Sequence, residues 1–275
     1  MPTPPSSSSN SNSTSGSGAN SGSPTNSTPG AAPKANVDTK AGRNPIIVAL
    51  DVPSADKAIA LVEQLSPVVG AFKIGSELFT AAGPEIVRRI HGMEAGVFLD
   101  LKFHDIPNTG AKAVASAVRL DVQMLTIHTS GGPSMMAAAV ESARQTAAQF
   151  GRPAPLLLGV TVLTSLDGTE LSAIGLSPNV GHQVERLARL AASSGLQGLV
   201  CSPLELAGLR PILPETMQLV TPGIRGPSDA AGDQKRTLSA PEAIAAGANW
   251  LVIGRPICGA PNPREAAEKI LASLS

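Results

Sequence analysis

The sequence predicts an α/β protein with a (β/α)8 barrel fold, on three observations. Short apolar runs recur from Pro45 onward, and eight of them are long enough to form buried strands. A longer amphipathic or alanine-rich stretch follows each run, as in repeated βα units. Eight such units fit the roughly 230 residues available, a usual size for this barrel. An open, doubly wound sheet stays the alternative, because the pattern supports closure of the sheet without proving it.

The predicted strands and helices alternate along the chain. We expect strands at residues 46–50, 71–74, 97–101, 124–128, 156–162, 198–201, 218–221 and 250–253. We expect helices at residues 54–65, 84–91, 108–120, 133–150, 180–194, 203–209, 241–246 and 263–274. Several of these helices begin at Ser, Asn or Pro, which are favoured at helix starts.

Residues 1–44 differ from the rest in composition. Ser, Asn, Gly, Thr and Pro dominate them, and the first Leu, Ile or Phe of the chain is Ile46. Such a segment buries too little apolar surface to offset the entropy of ordering, so we expect a disordered tail followed by one barrel domain at 45–275. It has no apolar stretch typical of a signal peptide. Its three basic residues, Lys34, Lys40 and Arg43, are too few for a typical transit peptide.

Charge and cysteine content exclude several function classes. The 275 residues carry a net charge of +0, so no basic surface is indicated for nucleic acid or for a membrane. No apolar run is long enough to span a bilayer. The two cysteines, Cys201 and Cys258, match neither a disulfide framework nor a zinc motif, which favours a reducing compartment such as the cytoplasm.

Polar residues cluster where the predicted strands end. Because the carboxyl ends of barrel strands form the face that carries the site, we expect these side chains to lie together. In chain order they are Asp51, Lys73, Asp100, Lys102, His128, Thr164, Ser165, Ser202, Thr221, Arg225, Gly254 and Arg255.

The segment 100–105 (Asp-Leu-Lys-Phe-His-Asp) is the most informative for chemistry. Strand alternation predicts Asp100 and Lys102 on one side, and burying such a pair is costly unless it is paired or used. Lys102 between Asp100 and Asp105 should stay protonated, which makes it a proton donor rather than a nucleophile. A fixed ammonium can stabilise and then protonate a carbanion, while a carboxylate beside it repels a second negative charge. Together these roles suit loss of CO2 from a phosphorylated substrate, without metal or organic cofactor.

A phosphate site is predicted at the ends of the last two strands. Gly254 lets backbone N–H groups approach an anion, and Arg255 can grip phosphate with two hydrogen bonds. Gly223-Ile-Arg225 and Gly232-Asp-Gln234 on the preceding loop strengthen this interpretation. The alternative is a turn at Gly254 with Arg255 as a solvated charge. No nucleoside triphosphate or dinucleotide motif is present.

Other motifs leave alternatives open. Asp51 and Lys73 could form a structural ion pair or could hold a hydroxyl-bearing substrate. The run 161–165 could be an ordinary strand terminus or could present donors and acceptors to a heterocyclic base. The four histidines have no metal-binding spacing, and Cys201 is expected to be a small buried residue rather than a nucleophile.

Residues 99–109 (Leu-Asp-Leu-Lys-Phe-His-Asp-Ile-Pro-Asn-Thr) closely resemble the signature of the orotidine 5'-phosphate decarboxylase family. Further matching motifs follow in the family's order. They are 49–51 (Ala-Leu-Asp), 72–75 (Phe-Lys-Ile-Gly), 160–165 (Val-Thr-Val-Leu-Thr-Ser), 220–225 (Val-Thr-Pro-Gly-Ile-Arg), 231–234 (Ala-Gly-Asp-Gln) and 252–256 (Val-Ile-Gly-Arg-Pro). The resemblance runs from Pro45 to the C-terminus, and the tail lies outside it.

The resemblance implies cofactor-free conversion of orotidine 5'-phosphate to UMP in pyrimidine biosynthesis. It implies that Lys102 protonates C6 and that Asp100 presses against the substrate carboxylate. It also implies a homodimer in which Asp105 and Thr109 reach the neighbouring site. The resemblance also implies the residues that bind the substrate. They are Asp51, Lys73 and Thr109 at the ribose, Thr164 and Ser165 at the base, and Arg225, Gln234, Gly254 and Arg255 at the phosphate. Residues 227–235 are the implied lid that closes over the phosphate.

Two other functions remain open on the sequence. Related barrels that act on sugar phosphates share an Asp-x-Lys-x-x-Asp core but use a divalent metal. The continuation Phe-His-Asp-Ile-Pro-Asn-Thr and the run Thr-Pro-Gly-Ile-Arg argue against them. A non-enzymatic nucleotide-binding barrel would be expected to lack part of the Asp100, Lys102 and Asp105 set, and all three are present.

Overall fold

The computed structural model describes residues 44–226 and 236–274, and within them eight parallel strands close into one barrel. Each strand pairs with the next along the chain, and the eighth pairs back with the first. The predicted barrel is therefore confirmed and the open sheet is wrong. Of the predicted tail, residues 1–44, only Asn44 belongs to the described residues, and residues 1–43 lie outside them.

The strands lie close to their predicted positions. They are β1 (Ile46–Ala49), β2 (Ala71–Gly75), β3 (Val97–Phe103), β4 (Met124–His128), β5 (Leu156–Val160), β6 (Gly198–Val200), β7 (Gln218–Thr221) and β8 (Trp250–Ile253). The main differences are in β3, which continues two residues beyond its predicted end, and in β5, which stops two residues before its predicted end.

The helices pack outside the barrel between successive strands. In the described residues they are α1 (Ala55–Leu65), α2 (Ser76–Ala82), α3 (Glu85–Gly92), α4 (Pro107–Val118), α5 (Gly132–Gln149), α6 (Gly168–Ala173), α7 (Val180–Ser193), α8 (Leu206–Leu209), α9 (Ala240–Ala245), α10 (Arg255–Cys258) and α11 (Pro263–Ala272). The prediction missed α2, α6 and α10, because helices of four to seven residues leave little periodicity to detect.

Side-chain hydrogen bonds begin several of these helices. The Ser54 hydroxyl accepts a hydrogen bond from the Lys57 N–H at the start of α1. Asp167 with Glu170, and Ser239 with Glu242, form reciprocal capping boxes at α6 and α9. Each cap satisfies N–H groups that have no partner inside the helix.

The strands alternate between two apolar layers. Side chains such as Ile47, Phe98 and Trp250 fill the barrel interior, whereas Ile46 and Val48 point outward against the helices. This period of two is what parallel strands buried on both faces require. Because apolar side chains fill the barrel interior, polar groups converge instead at the carboxyl ends of the strands.

Strand β3 departs from regular pairing at the point where its charged residues lie. Leu99 is opposite Leu125 of β4, and the next pair is Phe103 with Ile127. The pairing therefore advances four residues on β3 and two on β4, which is a bulge. Within it Lys102 has a φ of +51°, in the left-handed region that side chains rarely adopt.

A helix that crosses a bilayer must be long and predominantly apolar. None of the helices in residues 44–226 and 236–274 has the length and apolar character to cross a bilayer.

Candidate active site

A cavity of about 660 Å³ opens at the carboxyl ends of the strands. Its wall includes one or more of the predicted polar residues from six strands or the loops that follow them. These are Asp51 after β1, Lys73 of β2, Asp100 and Lys102 of β3, Thr164 after β5, Arg225 after β7, and Gly254 and Arg255 after β8. The fold thus brings together residues that are separated by up to about two hundred positions in the chain.

Four charged side chains form a row along one wall. Lys73 Nζ lies 3.0 Å from Asp51 Oδ1 and 3.7 Å from Asp100 Oδ2, and Lys102 Nζ lies 2.9 Å from Asp100 Oδ2. The signs alternate along the row, so each inner charge has an opposite charge on both sides. This order offsets the desolvation of Lys73 and Asp100, whose side chains are only 11% and 12% exposed.

The ends of the row are more open. The Asp51 side chain is 60% exposed and that of Lys102 is 35% exposed. Lys102 therefore offers an ammonium group to the cavity while Asp100 holds it in place. Such a group can donate a proton to an atom bound in the cavity. The ion pair between Asp51 and Lys73 is compatible with both of its predicted roles, because both residues line the cavity.

Thr126 of β4 completes the surroundings of Asp100, and the sequence reasoning missed it. Its hydroxyl donates to Asp100 Oδ1 at 3.0 Å and accepts from the Lys102 N–H at 2.9 Å. Thr126 is fully buried between Leu125 and Ile127 in the chain. The signal that could have identified Thr126 from the sequence was its position as a polar residue between two apolar residues of a predicted strand.

The predicted phosphate residues meet at one edge of the cavity. β7 and β8 are neighbours, so Arg225 and Arg255, which follow them, contribute two guanidinium groups to the same wall. Gly223 has a φ of +78°, a conformation that favours glycine at this turn. Gln234 and the predicted lid, residues 227–235, lie outside the described residues.

Three residues that the resemblance assigns to the site do not line this chain's cavity, namely Asp105, Thr109 and Ser165. Of the predicted cluster of strand-end residues, His128, Ser202 and Thr221 also lie outside its wall. Asp105 and Thr109 are exposed, and Asp105 Oδ1 accepts a hydrogen bond from the Ile106 N–H at 2.7 Å. Ile106 between them is 67% exposed, although it is a large apolar residue. Ser165 is also exposed, whereas its neighbour Thr164 is half-buried in the cavity wall.

The histidines near the site are His104 and His128, whose ring centroids lie 5.4 Å apart. Burial holds the pKa of His128 below its ordinary value, and the neighbouring His104 and Lys102 lower it further. In the described parts of the chain, no group of three or more His, Cys, Asp or Glu side chains is arranged to hold a metal ion.

Both cysteines are free thiols in the cavity wall. Burial raises the pKa of the Cys258 thiol to about 11 and raises that of Cys201 further. Both are therefore protonated near neutral pH and are poor nucleophiles. Cys201 is the small buried residue that the sequence predicted, while the place of Cys258 in the wall was not anticipated.

A separate ion pair between Glu205 and Arg236 lies beside the cavity, and it was also missed from the sequence. It joins the segments that follow β5, β6 and β7. Glu205 accepts the Ser202 N–H at 2.8 Å and pairs with Arg236, just after the undescribed segment. Arg236 Nη2 also donates to the Leu163 carbonyl oxygen at 3.4 Å. Burial raises the pKa of Glu205, and the Arg236 charge opposes that effect. The partners lie 31 residues apart, and no local pattern marks them.

Comparison with known proteins extends these observations. Residues 44–270 match the family model described as "Orotidine 5'-phosphate decarboxylase / HUMPS family". Proteins named orotidine 5'-phosphate decarboxylase from Opitutus terrae and Moorella thermoacetica are 52% and 48% identical to this chain. The alignments cover 83% and 84% of this chain and 97% and 92% of those proteins.

Solved structures agree with this assignment. A crystal structure of orotidine 5'-phosphate decarboxylase from Lactobacillus acidophilus is 32% identical, with a TM-score of 0.75, over 84% of this chain and 99% of that one. An uncharacterized conserved protein from Geobacillus kaustophilus is 31% identical, with a TM-score of 0.74, over 84% and 100% of the two chains. The resemblance seen in the motifs is confirmed: this chain belongs to the orotidine 5'-phosphate decarboxylase / HUMPS family.

Proposed function

We propose that this enzyme decarboxylates orotidine 5'-phosphate to UMP, as the names of its relatives suggest. The observation that carries the proposal is the row Asp51–Lys73–Asp100–Lys102 in the wall of a cavity that also carries Arg225 and Arg255. The row supplies a carboxylate and a proton donor for the reacting carbon. The arginines supply charge for a phosphate.

In the proposed reaction, Asp100 lies against the substrate carboxylate and Lys102 lies beside C6. The bond between C6 and the carboxylate carbon breaks, its electron pair stays on C6, and CO2 leaves. The Lys102 ammonium, held 2.9 Å from Asp100, stabilises that charge and transfers its proton to C6, which yields UMP. The neutral lysine then regains a proton from solvent.

The remaining site residues would hold the rest of the nucleotide. Asp51 and Lys73 would contact the ribose, Thr164 and Ser165 the base, and Arg225, Gln234, Gly254 and Arg255 the phosphate. Closure of residues 227–235 over the phosphate would let part of the binding energy act only in the transition state.

A homodimer is part of the proposal. Asp105 and Thr109 are exposed beside Ile106 and do not line their own chain's cavity. An exposed acidic residue next to a large exposed apolar residue is compatible with a subunit interface. In the dimer, Asp105 and Thr109 would each complete the partner's site.

We also propose a cytoplasmic location without nucleic-acid or membrane partners, since both cysteines are free and the net charge is zero. Cell fractionation with an antibody against this chain measures the location. Recovery in a membrane or extracellular fraction would contradict it.

The experiment that tests the function follows the absorbance of orotidine 5'-phosphate with purified enzyme in excess EDTA. Conversion to UMP is the expected result. The alternative, a metal-dependent enzyme acting on a sugar phosphate, fits the wider family description. Absence of conversion, together with sugar-phosphate turnover that requires added magnesium, would replace the proposal with that alternative.

Replacement of Lys102 tests the proton donor. Lys102→Ala should fold normally and bind UMP, yet lose turnover by at least roughly a thousandfold, because no other group donates to C6. Lys57→Ala, on the exposed face of α1, is the control and should keep wild-type kcat. Substantial decarboxylation by the Lys102 variant would refute the assigned role.

Replacement of Arg255 tests the phosphate contact. Arg255→Ala should lower kcat/KM for orotidine 5'-phosphate by roughly tenfold to a hundredfold, the effect of losing hydrogen bonds to a charged group. Turnover of the nucleoside orotidine, which has no phosphate, should change little. Equal losses on both substrates would mean that Arg255 supports the fold instead.

Shared sites can be tested by mixing two inactive variants. Lys102→Ala and Asp105→Ala homodimers should each be nearly inactive. After exchange of subunits, half of the dimers are mixed and each has one intact site, so about a quarter of the wild-type activity should return. Failure of the mixture to regain activity, despite mixed dimers detected by native mass spectrometry, would contradict the shared site.

The tail is proposed to contribute nothing to catalysis. A chain that begins at Ala41 should keep kcat/KM within about twofold of the full-length value, as expected for a terminal segment outside the site. The same absorbance assay measures this. A large loss would mean that the tail reaches the site.

A further inference from the structure

We propose that Thr126 is a positioning residue that holds Asp100 and Lys102 in their reactive arrangement. Thr126 is fully buried and is not part of the cavity wall, so it acts through these two residues rather than on the substrate. This role rests on the proposed decarboxylation.

The regular pairing of β3 with β4 is interrupted at Thr126. Between the pairs Leu99–Leu125 and Phe103–Ile127, β3 has three residues and β4 has only Thr126. Regular backbone pairing cannot satisfy the polar groups of a bulged strand. The Thr126 hydroxyl fills the gap, because it accepts the Lys102 N–H at 2.9 Å where a backbone carbonyl would otherwise serve.

The Thr126 hydroxyl accepts one hydrogen bond and donates another. The Lys102 N–H can only donate, so it uses a lone pair of the Thr126 oxygen. The hydroxyl hydrogen then points to Asp100 Oδ1, 3.0 Å away. One hydroxyl thus orients a carboxylate and a backbone amide at once.

The two carboxylate oxygens of Asp100 have different partners. Thr126 holds Oδ1, while Oδ2 faces both ammonium groups, Lys102 at 2.9 Å and Lys73 at 3.7 Å. Without the hydroxyl the carboxylate could rotate and share its oxygens differently between the two lysines. The left-handed backbone at Lys102 would also lose the hydrogen bond on its N–H.

The role of the Thr126 hydroxyl is distinct from that of packing. Valine has nearly the shape of threonine and would fill the same buried space. Space-filling alone therefore does not require a hydroxyl, whereas the bonds to Asp100 and to the Lys102 N–H do. Removing it would leave a buried amide and a carboxylate oxygen each without this partner.

The test compares two buried threonines in the full-length enzyme. Thr126→Val should lower kcat by roughly tenfold to a hundredfold, the loss expected for a hydrogen bond to a charged group, with KM and UMP affinity nearly unchanged. Thr126→Ser, which keeps the hydroxyl, should restore kcat to within about threefold.

Thr129→Val is the matched control. Thr129 is equally buried, follows β4, and donates its hydroxyl to the Val160 carbonyl oxygen at 2.8 Å. This variant also loses one buried hydrogen bond, so it should share any loss of thermal stability but keep wild-type kcat. If Thr126→Val does not fold, Thr126→Ala with Thr129→Ala as its control gives the same comparison.

A second readout does not depend on activity. The crystal structure of Thr126→Val should have the Asp100 carboxylate rotated or Lys102 Nζ displaced from it. An unchanged arrangement, or equal kcat for the Thr126 and Thr129 variants, would overturn the inference while leaving the decarboxylase proposal intact. A wild-type enzyme that does not convert orotidine 5'-phosphate would overturn the function instead, and the crystal structure would still decide the role of Thr126.

Discussion

The site depends on the burial of Lys73 and Asp100 as neighbouring opposite charges. Each would cost several kcal/mol if desolvated alone, and removal of one would leave the other uncompensated. Asp51 and Lys102 extend the pair into a row whose ends are open to the cavity. The charges therefore stabilise one another while the Lys102 ammonium group remains accessible to the cavity.

The barrel makes this row possible because its strands are parallel and adjacent. β1, β2 and β3 lie side by side, so residues at their carboxyl ends are a few ångströms apart without any special loop. The bulge in β3 adds an irregular feature at Lys102. Regular packing elsewhere in the barrel supports an unusual backbone at that residue.

The two ends of the cavity are built differently. Three members of the charged row, Lys73, Asp100 and Lys102, are strand residues. Thr126 forms hydrogen bonds with the last two. The proposed phosphate end rests on loops after β7 and β8, with Gly223 and Gly254 at the turns and the Glu205–Arg236 pair beside them. Rigid support suits the proposed reacting groups, and loops suit a proposed phosphate that is bound and released.

The amino-acid sequence by itself determined the eight βα units, the positions of the strands, and the polar residues at their ends. These are local properties, because a run such as 124–128 shows its apolar character within a few residues. It also marked Asp100 and Lys102, since charges at the end of a buried strand stand out. The motif spacing was enough to indicate the family.

Only the tertiary structure decided how distant groups meet. Closure of the barrel required the pairing of β1 with β8, and the bulge required the register of β3 on β4. The contacts of Thr126 with Asp100 and Lys102 join positions 26 and 24 residues apart. The outward direction of Asp105 likewise follows from where β3 ends and α4 begins. Hydrogen bonds across such separations depend on which backbones become neighbours, and no local pattern in the chain records that.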